Sequence, residues 1–433
     1  MKKTICVILT GFLFCISVYG QSKPKTIKKE VSFSQIERPY MTISPFIKQF
    51  LKLNGKELQK ELNRFWATNK TLPLTEIDSL DYDYVYTTLI YRDSSPNKTI
   101  SIKMFGTYDE QRLGNKKLYH LPNTDFYYRC YKFPKDICFS YQYVITDTIT
   151  KQTFSTIDKF NPNTIPHGEI TNYTYSVFDL NPPETDWNIK KDINIQSIID
   201  TLPYTDKIVK KERNIYVYIP HGYDAKRAKP YPVIYLFDAS IYLNRVEVPT
   251  ILDNLINEDK IEPMIAVFLG TYGSTRKYIL PLNFDFMEEF TSDVLPLIRK
   301  KYNVSYRPDE NILGGMSYGG LASGFMAFYH PDIFGKVLGQ SSSFWRDFEY
   351  LDSEGEWFRD DWLINQYLIS DKKQLKFFLD WGLQENWVLD SNRKMVKVLI
   401  NKGYEVKFIE FNGWHDWSNS RKTFANGLMY LLE

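Results

Sequence analysis

Hydrophobic and polar positions change rhythm twice along this chain of 433 residues. At the start, Lys2-Lys3 precede an apolar run from Ile5 to Val18. The run is too short to span a bilayer comfortably and has the length of a secretion signal's apolar core. Val18-Tyr19-Gly20 before Gln21 supplies a cleavage site, so residues 1–20 are expected to be a signal peptide removed on export. Cys15 follows Phe14 rather than a small residue, which argues against a lipid-anchored cysteine. No later segment is apolar enough to cross a membrane, and the mature protein is expected to be soluble in the periplasm or outside the cell. The next stretch, to about residue 45, is Lys-rich and aperiodic. Phe46, Phe50, Leu51, Leu58 and Leu62 then recur at helical spacing and predict a short helix ending near Trp66, before Pro73.

From there the period shortens to two. Tyr84 to Tyr91 is aromatic and β-branched, and Thr99 to Phe105 alternates, with Ile100, Ile102 and Met104 on one face. Phe126 to Phe133 and Ile137 to Ile145 flank a Pro134-Lys135-Asp136 turn and predict a hairpin. Several short strands broken by Asn, Asp, Gly and Pro point to a β-sandwich over about residues 21–165, lead-in helix included. Residues 166–211 are irregular and polar, as a linker would be.

After residue 212 strands alternate with helices. Tyr231 to Asp238 is a nearly unbroken apolar run of the kind buried in parallel sheets. Further strands are predicted at 214–220, 264–270, 311–315, 336–340, 376–382 and 405–411. Helices are predicted at 248–257, 286–302, 319–329, 390–402 and 420–432. This rhythm predicts an α/β domain with a mainly parallel sheet over residues 212–433.

Composition adds limits. Apolar residues are 43% and charged residues 24%, ordinary for a globular protein and unlike a disordered or collagen-like chain. Removing Lys2 and Lys3 leaves the basic residues equal in number to the 52 acidic ones, a poor balance for a general nucleic-acid binder. The many aromatics, 32 Tyr and 29 Phe, suit β structure or an aryl- or carbohydrate-facing site. Cleavage leaves Cys130 and Cys138, which either bridge across neighbouring strands in an oxidising compartment or pack separately as thiols. No cysteine or histidine spacing suggests a metal site.

The strongest chemical signal is Gly315-Met316-Ser317-Tyr318-Gly319, between a predicted strand and a predicted helix. That context is the one a nucleophile elbow needs: a tight turn that holds the Ser317 hydroxyl exposed at a strand end. A serine nucleophile needs a base, and in this fold the chain order is serine, acid, histidine. Of the five histidines only His330 and His415 follow Ser317. His330, before Pro331, reads as a helix terminus, whereas His415 follows a late strand, where the base belongs. Glu385 lies just past the strand ending at Gly382 and is the preferred acid over Asp390, which reads as the start of a helix. Asp416, beside His415, reads as structural. The oxyanion hole would use the Tyr318 N–H and one from the loop after Asp238, that of Ala239 or Ser240. This chemistry requires neither metal nor organic cofactor. Trp345, after the strand that follows the elbow helix, is placed to border an acyl site and stack on a planar ring.

These residues make the C-terminal half resemble the esterase family that includes enterochelin, feruloyl and acetyl-xylan esterases. Ser317, His415 and Glu385 match its nucleophile, base and usual acid. Gln340 followed by Ser341-Ser342-Ser343-Phe344-Trp345 is similar to the segment enterochelin esterases carry after the elbow. Arg276 matches an arginine of that group and is assigned by resemblance to substrate binding. Ala239 stands where the family usually has Gly. The N-terminal half is similar to the enterochelin esterase N-terminal domain at Phe65-Trp66, Pro73-Leu74, Thr124-Asp125, Tyr127-Tyr128, Tyr141, Asp158 and Asn161-Pro162. The resemblance implies an immunoglobulin-like sandwich that borders the substrate pocket of an α/β-hydrolase domain. A similar sandwich precedes feruloyl and acetyl-xylan esterases, where it resembles a carbohydrate-binding module.

The expectation is an exported serine esterase for a small-molecule ester, first a catecholate siderophore of the enterobactin type. A feruloyl or acetyl ester on plant polysaccharide is the alternative. A noncatalytic glycan-binding protein is the reading from another class, and the joint presence of Ser317 and His415 argues against it.

Overall fold

The computed structural model describes residues 40–69, 71–95, 97–107, 113–166, 174–189, 197–270, 273–347 and 361–433. The expected signal peptide and most of the Lys-rich lead-in lie outside them. Among the described residues, no helix is long and apolar enough to cross a membrane.

The first ten strands form two antiparallel sheets. One joins β1 (Met41–Thr42), β2 (Leu74–Ile77), β3 (Tyr84–Arg92), β5 (Tyr119–His120) and β6 (Phe126–Pro134). The other joins β4 (Lys98–Met104), β7 (Cys138–Asp147), β8 (Thr153–Thr156), β9 (Thr164–Pro166) and β10 (Thr174–Asp179). Their facing sides share one core: Leu89, Tyr131 and Phe133 from the first sheet, Ile100, Ile102, Met104, Phe139, Tyr141 and Ile145 from the second. The alternation over 99–105 is therefore the inward face of β4. The single lead-in helix is two, Pro45–Phe50 and Gly55–Thr68, interrupted where Gly55 takes a positive φ of 50°. Ile47, Phe50, Leu62 and Phe65 lie on the outer face of the first sheet against Ile90 and Phe126.

The predicted hairpin is not one. β6 pairs with β3 and β7 with β4, so the turn between them carries the chain from one sheet to the other. The local turn chemistry of a hairpin and of such an arch is the same; which partners the strands find is decided by the core between the sheets. Cys130 and Cys138 are accordingly separate buried thiols, Cys130 against Ser44 and Thr88 and Cys138 against Ser418. The stretch expected as linker also contains β10, which completes the second sheet, and β11 (Ile198–Asp206), which joins the next one.

The remaining strands form one eight-stranded sheet in the order β11-β12-β14-β13-β15-β16-β17-β18. These are β12 (Lys211–Ile219), β13 (Val233–Leu236), β14 (Ile265–Leu269), β15 (Asn311–Met316), β16 (Lys336–Gln340), β17 (Lys376–Gly382) and β18 (Glu405–Phe411). β11 and β12 run antiparallel, and β14 to β18 run parallel. Apolar cores lie on both faces of the sheet, which is why the central strands read as unbroken apolar runs. The helix predicted over 286–302 is Phe284–Glu289, a π turn at Phe290–Val294, then Leu295–Lys301. Pro296 has no N–H to donate, and the wider turn accommodates it inside the helix.

Candidate active site

The carboxyl ends of β15, β16, β17 and β18 meet at one edge of the sheet, where open α/β sheets place their ligands. Ser317 joins β15 directly to the helix Tyr318–Tyr329 with φ 60° and ψ −118°, a conformation foreign to both strand and helix. The turn is tight enough that a Cβ on Gly315 would lie 2.7 Å from the Gly319 Cα and closer still to its carbonyl carbon. Gly315 is therefore needed for the chain to fold back on itself, whereas a Cβ on Gly319 would meet only ordinary contacts, the nearest with Phe237 at 3.5 Å. The backbone of Ser317 is fixed from its neighbour strand, donating to the Gln340 carbonyl at 2.9 Å and accepting from the Ser343 N–H at 3.0 Å. Its hydroxyl lies 3.2 Å from that of Ser343.

Glu385 follows the end of β17 and His415 the end of β18. His415 Nδ1 lies 2.6 Å from Glu385 Oε2. The other carboxylate oxygen accepts from the Gly382 N–H at 2.6 Å and the Ser341 hydroxyl at 2.7 Å. An ionised carboxylate can only accept, so Nδ1 carries the hydrogen and Nε2 keeps the lone pair that a base uses. Ser341 is tied in turn to β17, its N–H donating to the Asp380 carbonyl at 2.7 Å. Asp390 does not start its helix: the helix runs Trp387–Asn401 with Asn386 at the N-cap, and Asp390 lies in its first turn, its N–H donating to the Asn386 carbonyl at 3.2 Å. The structure thus brings Glu385, and not Asp390, to His415. His330 ends the elbow helix, and Asp416 caps the last helix, Trp417–Leu432, through Ser418.

Beneath the site, Asp380 is fully buried on β17. It accepts from the Thr423 hydroxyl at 2.6 Å and the Gln340 amide at 3.1 Å. Burial pushes its carboxyl up to about 7, against the pull of those hydrogen bonds.

Arg276 pairs with Asp238, in the loop that follows β13. Its Nε and Nη2 meet both oxygens of Asp238 at 2.6 Å, and Nη2 also donates to the Met316 carbonyl at 3.1 Å. This fork ties the loop after β13 to the elbow, with the guanidinium 5.6 Å from the Tyr318 ring. Asp238 takes a left-handed conformation, φ 65°, and starts the short helix Ala239–Asn244, with the Ala239 side chain buried. Trp345 is largely buried, 6.5 Å from the Tyr318 ring and edge-on to Trp387 at 5.8 Å. Trp387 is 40% exposed and extends this aromatic group toward solvent. Sequence reasoning missed Trp387, and took Ser341 and Ser343 only as part of a similar segment, with no role of their own. The serine triplet after β16 was the one available signal, since three consecutive hydroxyls at a strand end beside the elbow have hydrogen bonds to make.

A strand–serine–helix elbow and a His–carboxylate pair at one edge of a mainly parallel sheet define an α/β-hydrolase. A family model described as Putative esterase matches residues 207–431, just over half the chain. The chain belongs to that esterase family, and with it to the carboxylic ester hydrolases. Iron(III) salmochelin esterase of Escherichia coli O6:H1 is 24% identical over 388 residues, 85% of this chain and 93% of that protein. Iron(III) enterobactin esterase of Escherichia coli K12 is 24% identical over 228 residues, where the chain spans 55% of the relative's length. The crystal structure of ferric enterobactin esterase from Salmonella typhimurium shares the fold, with a TM-score of 0.71 and 18% identity over 85% of this chain and 98% of that one.

Proposed function

We propose that the protein is an exported serine esterase in which Ser317 is the nucleophile, His415 the base and Glu385 the acid that orients it. The observation that carries this reading is the knit between four strand ends, those of β15 to β18: Ser317 on Ser343, Ser341 on Glu385, Glu385 on His415. Ser317 Oγ attacks the ester carbonyl carbon as His415 Nε2 takes its proton. The oxyanion is held by the N–H groups of Tyr318 and Ala239. Collapse of the tetrahedral intermediate breaks the C–O bond, and His415 returns the proton to the departing alkoxide. Water then repeats the sequence on the acyl-enzyme and frees Ser317. The paired domains, an immunoglobulin-like sandwich over about 40–180 and an α/β-hydrolase from about 198, act as one unit, and the signal at 1–20 directs the chain to the periplasm or beyond.

The substrate proposed is a catecholate siderophore ester. The long alignment with a salmochelin esterase supports this, since it runs through the N-terminal region as well as the esterase region. The aromatic group of Tyr318, Trp345 and Trp387 suits a planar ring beside the ester. The test is a comparison of enterobactin, its ferric complex, methyl ferulate and an acetylated xylo-oligosaccharide by kcat/KM. The catecholate ester is expected to lead by at least about tenfold, the size of one well-made recognition contact. Preference for methyl ferulate would move the substrate to plant aryl esters. Preference for the acetyl ester would remove the aromatic pocket.

A further inference from the structure

The loop that carries His415 is gripped by the sandwich. Trp414 is fully buried, yet its neighbours are Tyr40, Phe133 and Phe139 of the sandwich core, all edge-on with ring centroids 5.5 to 5.9 Å apart. On the other side of His415, the Asp416 carboxylate is buried and accepts from the Ser140 N–H at 2.5 Å and the Ser140 hydroxyl at 2.8 Å, both on β7. The backbone before it is tied to the same strand, the Cys138 N–H donating to the Asn412 carbonyl at 3.0 Å. The acid's loop is held as well: the Tyr40 hydroxyl donates to Gln384 at 2.6 Å, next to Glu385. The His415 backbone also packs directly on Gly106, the turn after β4. A Cβ there would lie 3.1 Å from the His415 Cα, with the carbonyl carbon and oxygen closer still.

We propose that the sandwich positions the catalytic base: Trp414 and Asp416 are positioning residues that fix His415 from both sides, with Gly106, Ser140 and Tyr40 as their seat. A histidine on a free loop would sample many orientations, and general-base catalysis requires one. Burying a tryptophan in the core of another sheet pair, and a carboxylate on that pair's backbone, removes this freedom before substrate arrives. The sandwich therefore contributes to the chemical step even for an ester too small to touch it. The proposal rests on Ser317 and His415 being nucleophile and base.

The test uses p-nitrophenyl acetate with the full chain. Gly106→Ala should lower kcat on the order of a hundredfold, the effect of about 1 Å of misplacement, with KM within about threefold. Gly114→Ala is its control. Gly114 has the same kind of backbone, φ 60° against 66°, but its Cβ would meet only side-chain atoms, the nearest being Met41 Sδ at 3.4 Å. It should lose less melting temperature, bearing the backbone strain without the clash, and keep kcat within about threefold of wild type. Equal kcat in the two variants would overturn the proposal. Should Gly106→Ala not fold, Tyr40→Phe combined with Ser140→Ala decides: about a tenfold fall in kcat at unchanged KM supports positioning, and an unchanged kcat overturns it. His415→Ala, assayed in parallel, separates the two levels, because retained activity there refutes the base itself and not only its seat.

Discussion

At the scale of single residues, the three side chains proposed as nucleophile, base and acid come from three strand ends, and substitutions should separate their duties. Ser317→Ala and His415→Ala should each lower kcat on the order of a million-fold, as triad members act as a unit, while His330→Ala leaves it near wild type. Glu385→Gln should cost more than Asp390→Asn, since only Glu385 meets His415; the reverse order in steady-state kinetics would move the acid. Asp380 gives a pH prediction. The native carboxyl keeps its proton up to about 7, whereas the unfolded chain releases it near an ordinary 3.8. Its stabilising contribution is complete below the unfolded value and is lost as pH rises through the folded one. Denaturant unfolding should show wild-type stability falling relative to Asp380→Asn from about pH 4 to about pH 7, by at most about 1.4 kcal/mol per pH unit, and level above. A difference that is constant with pH would contradict this. An elbow motif and a chain order single out Ser317, His415 and Glu385 in the sequence, and the structure brings Glu385 to His415. Asp380 leaves no local pattern, because its partners Gln340 and Thr423 lie 40 and 43 residues away, and of Ser341 and Ser343 the sequence shows the run of hydroxyls but not what they bond to.

At the scale of elements, burial on both faces makes β13 to β17 read plainly, since their side chains are apolar whichever way they point. β11 did not read as a strand because it is the sheet's edge, mostly exposed, and contains Pro203, which an edge tolerates. The turn between β6 and β7 marked the place where the chain reverses but not the sheet in which it continues. The elbow helix is buried along nearly its whole length, so its glycines pack against other elements. Gly320 in particular faces the Ser342 side chain, where an added Cβ would lie under 3.0 Å from its hydroxyl. Gly320→Ala should therefore disturb the serine triplet and lower activity together with melting temperature, whereas Ala327→Gly on the same helix should lower melting temperature alone, by the few degrees that about 1 kcal/mol represents in a domain of this size. Activity assays beside thermal unfolding check both.

At the scale of the whole molecule, the two cores are joined through the base. Trp414 belongs by sequence to the esterase region and by packing to the sandwich. Nothing in the alternation of the strands or in the elbow foretold this, since a tryptophan next to a histidine reads the same whether it faces its own sheet or another. The change from alternating strands to strands and helices was readable; the strands inside the expected linker, and the packing of Trp414 in the sandwich core, were not. The most direct test of the account is covalent. Full-length protein is treated with an alkyl fluorophosphonate and its peptides are analysed by mass spectrometry. Phosphonylation at Ser317 alone, at one equivalent, and slowed on the order of a thousandfold or more in His415→Ala, is the predicted result. Labelling at another serine, or labelling of Ser317 at an unchanged rate without His415, would contradict the assignment of nucleophile and base.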